Sequence, residues 1–135
     1  MKNIELRRDY ASSNPRCELC PTINKLVGFR CNGERGVECH HCLASGTGGR
    51  WDVVANLLCV CEPAHRFCHE HPKEGRIASL AVKVKKHEFD EQVIFEASGQ
   101  HLIGWLENQV ENGGLLEGFC LLARDTLAVM KGSLE

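Results

Sequence analysis

Residues 38–72, ECHHCLASGTGGRWDVVANLLCVCEPAHRFCHEHP, hold five of the chain's seven histidines and five of its nine cysteines. Imidazole and thiolate are the ligands of zinc and the later first-row transition metals. A metal ion held by such groups can neutralise charge that develops on phosphoryl oxygens or activate a water. The local spacing divides the labour. Consecutive strand residues point to opposite faces, so His40 and His41 cannot share one role. One can hold a metal while the other faces a substrate. His65 and His69 lie four apart, and on a helix they stack on one face.

Nine cysteines admit a disulfide scaffold or metal ligation by reduced thiols. The first residues, MKNIELRRDYASS, carry no apolar core of a secretory signal. The cysteine count is odd, and C-x-x-C pairs alternate with histidines. Both features favour a reducing, cytoplasmic setting and a structural Zn²⁺. Cys17-x-x-Cys20 is the clearest half-site. A second pair beginning at Cys61 would end at residue 64, which is alanine. A tetrahedral zinc needs four ligands. In a continuous strand Cys59 and Cys61 share a face, which makes Cys59 the neatest fourth ligand, with Cys31 or Cys39 as substitutes. A rival pairing joins Cys17 and Cys20 to Cys39 and Cys42 across eighteen residues. That spacing suits a zinc ribbon, a binding module without catalysis.

The surrounding pattern places these residues. At 135 residues the chain is expected to form one domain, a metal core over 15–90 and a helical extension over 91–135. Residues 3–12 read as a short helix ended by Asn14-Pro15. KLVGF (25–29) reads as a strand, NGERG (32–36) as a hairpin turn, and VECHHCL (37–43) as extended. Gly46-Thr47-Gly48-Gly49 lacks the Lys-Ser/Thr of a phosphate-binding loop and reads as a plain turn. Pro63 and Glu62 suit a helix start and Pro72 its end. Ile77, Leu80, Ala81 and Val84 follow helical spacing. QVIFEA (92–97) reads as a strand or a connection. Residues 100–111 and 115–131 each present one apolar face, and the Asn112-Gly113-Gly114 stop between them makes a helical hairpin.

The order His40-His41, then Asn56, then His65 on a helix resembles the HNH (His-Me finger, ββα-metal) nucleases. RCELC before the pair, GGRWDVVANLL across the loop and the HEHP helix end are similar too, over roughly residues 7–90. The resemblance implies an α+β fold, a small zinc-stapled ββα-metal core. It also implies metal-dependent hydrolysis of DNA phosphodiesters, by a nuclease or nickase. Carried over residue by residue, His40 and His65 would bind Mg²⁺ or another divalent ion, with His69 as a further ligand. His41 would take a proton from water, and Asn56 would fix the loop and so orient His41.

A formal net charge of −2 argues against bulk attraction to nucleic acid. DNA phosphates would therefore need local cations, and Arg50, beside the expected site, comes first. Arg30, Arg35, Arg66, Lys83, Lys85 and Lys86 are the others. The two expectations for a partner are DNA and, for a non-catalytic zinc module, DNA or a protein. No apolar run is long enough for a membrane span.

Overall fold

The computed structural model describes residues 4–13, 16–27, 38–41, 54–99 and 101–132. Expectations for Cys31, Cys42, Arg30, Arg35, Arg50, the 32–36 turn and the glycine-rich loop fall outside these residues. In chain order the elements are α1 (Ile4–Ser13), α2 (Cys20–Val27), β1 (Glu38–His41), β2 (Leu57–Val60), α3 (Glu62–Glu70), α4 (Pro72–Lys85), α5 (Glu91–Ser98), α6 (Leu102–Asn112) and α7 (Phe119–Gly132). A 3₁₀ turn, Val54–Asn56, leads into β2. The fold is α+β and mostly helical.

β1 and β2 form an antiparallel ribbon in which Glu38 faces Val60, Cys39 faces Cys59, His40 faces Leu58 and His41 faces Leu57. All four β2 residues are buried, because both faces of the strand are covered. Leu58 and Val60 join the main core with Ile77, Leu80, Phe119 and Ala123. Leu57 and Cys59 pack instead with Tyr10 of α1. A strand enclosed on both sides reads as a continuous apolar run, which is why LLCV shows no alternation.

Two sequence expectations fail. Lys25–Val27 end α2 rather than begin a strand. Leu19, Ile23 and Leu26 recur at helical spacing, and Leu19 and Ile23 are fully buried, so the period of 3.6 governs the segment. Residues 92–97 lie within α5. Asp90 caps its start by accepting the Val93 N–H at 3.0 Å, and Gly99 ends it in the left-handed region at φ 74°. These two cap signals outweigh the short apolar alternation.

Pro72 does two jobs: it follows the end of α3 and sits in the first turn of α4. The two helices then cross so closely that a Cβ on Gly75 would lie 2.7 Å from Cys68 Cα. Gly75→Ala is therefore expected to destabilise the protein by ~1–3 kcal/mol, measured by urea unfolding. An unchanged midpoint would show that α3 and α4 can separate without cost. Next to Gly75, Glu74 accepts the Leu116 N–H at 3.0 Å and ties the α6–α7 connection to α4.

Candidate metal centre

The Cys17–Cys20 turn is pressed against the ribbon. Leu19 anchors it in the core, and Thr22 and Ile23 donate back to the Leu19 carbonyl as α2 begins. Its docking to β2 is reciprocal: the Glu18 N–H donates to the Cys59 carbonyl at 2.8 Å, while the Glu18 carboxylate accepts the Cys59 N–H at 2.7 Å. Glu18 thus closes a strand edge that would otherwise expose unpaired backbone groups. β2 then delivers Cys61 to the start of α3. The Sγ atoms of Cys17, Cys20 and Cys61 lie within 4.8 Å of one another, and all three residues are buried. The Cys20 and Cys61 Sγ atoms are 3.3 Å apart.

These three thiols could hold a metal ion. Zinc bound to thiolates at about 2.3 Å in a tetrahedron sets sulfur atoms about 3.8 Å apart, so the group needs little movement to receive one. The sequence-derived choice of Cys59 as fourth ligand is not supported. Cys59 is buried beside Tyr10 and Leu57, away from the group. Cys59 packs in the Tyr10 cluster, whereas Cys61 packs in the main core. Cys61 is the N-cap residue of α3, at φ −76° and ψ 166°. Cys39 stands opposite Cys59 across the ladder. Ala64 is fully buried within α3.

A polar network that the sequence did not announce backs the cysteine turn. The Tyr10 hydroxyl donates to Glu18 at 2.9 Å. It accepts from Lys83 and from Lys86, each at 3.0 Å. Lys86 also pairs with Glu18, and Lys83 pairs with Glu88 at 2.7 Å. The side chain of Lys83 is 0% exposed, which removes it from the cations expected to meet DNA phosphates. Arg66, also expected there, is exposed and pairs with Glu62 along α3. Burial first, and then the charge of Glu18, push the Tyr10 hydroxyl far above its ordinary value, so it remains a neutral phenol.

Burial raises the Glu88 carboxyl, but the hydrogen bond and charge of Lys83, followed by those of Lys86, outweigh it and hold Glu88 below its ordinary value. A depressed carboxyl stabilises the folded state above the unfolded value and loses that contribution as pH falls through the folded value. Wild type should therefore lose its melting-temperature advantage over Glu88→Gln as pH falls below about 5. A constant difference between the two melting curves would contradict this assignment.

On the other side of the ribbon-to-helix corner, α3 carries the second group. The Nε2 atoms of His65 and His69 are 3.0 Å apart, and their ring centroids are 4.5 Å apart. Two imidazole nitrogens bound at right angles to one ion, each at about 2.1 Å, stand about 3.0 Å apart. His65 is half-buried and His69 exposed, so the pair is open to solvent. β1 is extended over Glu38–His41, and His40 and His41 occupy successive rungs of the ladder. Asn56, fully buried, closes the turn into β2. Among the described residues, His40 and His41 thus lie on β1, Asn56 in the turn before β2, and His65 and His69 on α3.

Among the described residues, no helix is long and apolar enough to cross a membrane. No protein-family model, no curated protein and no solved structure matches the chain.

Proposed function

We propose that the protein is a metal-dependent DNA endonuclease or nickase with a ββα-metal core. One observation carries the reading: an antiparallel ribbon bearing the His40-His41 rungs runs directly into a helix whose two histidines are spaced for a shared ion. In this reading His40, His65 and His69 hold one divalent ion. The ion neutralises charge on the scissile phosphate and on the leaving oxygen. His41 accepts a proton from the attacking water, a role suited to an imidazole near neutral pH. Asn56, buried where the turn enters β2, holds the loop that orients His41. Arg50 contacts the phosphate.

The cysteine group is the structural half of the same design. Cys17, Cys20 and Cys61 bind Zn²⁺, and the fourth position falls to Cys31, Cys42 or solvent. A second reading, a zinc-binding module for DNA or a protein without catalysis, draws on the same three thiols and on the acidic charge balance. The pairing of Cys17 and Cys20 with Cys39 and Cys42 is disfavoured by the extended backbone over 38–41, where a knuckle would turn tightly.

The direct test is nicking of supercoiled plasmid in Mg²⁺, Mn²⁺ or Ni²⁺. Wild type should nick, and His65→Ala should lose both nicking and the tight Ni²⁺ or Mn²⁺ binding that calorimetry detects. A wild type inert in every metal would leave the binding module as the better reading.

A further inference from the structure

A cleft of about 460 Å³ opens between α2, α4 and α7, on elements that carry neither histidine pair. Its walls are hydrocarbon: Leu26, Ala81, Val84 and Leu122. Its rim is charged and unbalanced. Lys25 and Lys85 are exposed there, facing one acid, Asp125. No described residue makes an ion pair with either lysine.

The third basic rim residue, His87, has an unusual backbone. It sits at φ 60°, the sole non-glycine residue with positive φ among the described residues. The Glu88 N–H returns to the Lys83 carbonyl at 2.9 Å, which makes His87 the left-handed residue that ends α4. Glycine fills that position without strain. A histidine kept there, at the mouth of a cleft, is the kind of local strain that accompanies binding sites.

We infer that this cleft binds a free amphiphilic carboxylate of medium chain length. The chain lies against Leu26, Ala81, Val84 and Leu122, and burial of its surface supplies the attraction. The carboxylate sits at the α2–α4 side of the mouth, between Lys25 and Lys85 with His87 beside them, and away from Asp125. A cleft of this size suits one small ligand, in the range of about 300–1,000 Å³ typical of such sites. A protein partner would instead need about 800 Å² of surface from each side.

Full-length protein titrated with dodecanoate below its micelle concentration, followed by calorimetry, tests this. Dodecanoate should bind saturably and one to one. Dodecanol should bind about tenfold or more weakly, because it lacks the charge that the lysines recognise. Lys25→Glu combined with Lys85→Glu should produce a similar loss for dodecanoate, and Ala81→Trp should block the cleft for both probes. The rim lysines are exposed, so the double variant should fold even if Ala81→Trp does not; circular dichroism melts check both. Absence of saturable dodecanoate binding, equal affinity for dodecanol, or wild-type affinity in the double variant would each overturn the assignment.

Discussion

Protein purified under reducing conditions is expected to carry close to one zinc per chain, and stripping it should lower the melting temperature by ~10 °C or more. The magnitude follows from two considerations. Structural zinc binding is folding free energy when the unfolded chain holds no site, and reaches ~10–16 kcal/mol in small zinc domains. Here the three cysteines share one core with Leu80, Leu106, Phe119 and Met130 of α4, α6 and α7, so the metal supplies a part rather than the whole. A few kcal/mol in a domain of this size shifts the transition by roughly 3–5 °C for each. Without an ion, three thiols crowd a buried space, with Cys20 and Cys61 at 3.3 Å. Cys20→Ser and Cys61→Ser should therefore reproduce the effect of the chelator and bind little zinc. Cys59→Ser should keep its zinc, because Cys59 lies on the Tyr10 side of β2. Metal analysis and thermal melts of these variants decide the matter. Zinc-free wild type that melts at the same temperature with and without chelator would remove the metal from this group.

Much of the candidate site was legible because its signals are local. C-x-x-C spacing, the i, i+4 pair on α3 and the adjacent histidines of β1 each depend on the geometry of one element. The C-terminal hairpin was legible for the same reason, since α6 and α7 carry strong helical periodicity with a glycine stop between them. What could not be read required tertiary knowledge. Cys59 was chosen on strand alternation, yet it packs in the Tyr10 cluster, whereas Cys61, which opens α3, packs in the main core. Lys83 looked like a surface cation, yet it lies fully buried because Tyr10, 73 residues earlier, and Glu88 meet it. The sequence alone assigns Glu18, between two cysteines, no role. Its carboxylate is the joint between the cysteine turn, β2, Tyr10 and Lys86. No pattern within a window of ten or fifteen residues contains that information.

That joint also orders the candidate chemistry in space. The thiol group holds the start of α3, and α3 carries His65 and His69 one and two turns further on. β2 leaves the same corner in the other direction and carries β1 on its free edge. Any slack at Cys61 would therefore change the distance between the β1 histidines and the α3 histidines together. A rigid corner is what a site needs when its ligands must hold within about 0.5 Å of their productive places.

His41→Ala should lower metal-dependent DNA nicking by ~10²–10⁴-fold, the usual contribution of a general base, while leaving zinc content and melting temperature close to wild type. The reason is positional. His40 and His41 occupy consecutive rungs opposite Leu58 and Leu57, and consecutive strand positions belong to opposite faces. If His40 shares an ion with His65 and His69, His41 is left for the water. Loss of a base should also leave metal affinity intact, so Ni²⁺ or Mn²⁺ titration of His41→Ala should match wild type where His65→Ala does not. The zinc-ribbon alternative predicts the reverse order of damage. There Cys39 is a metal ligand, so Cys39→Ser would unfold the protein, and His41→Ala would leave both fold and DNA binding unchanged. Plasmid nicking, metal titration and thermal melts on wild type, His41→Ala and Cys39→Ser separate the two. A His41→Ala variant that nicks at the wild-type rate would remove His41 as the base, even if the ion and the fold were as described.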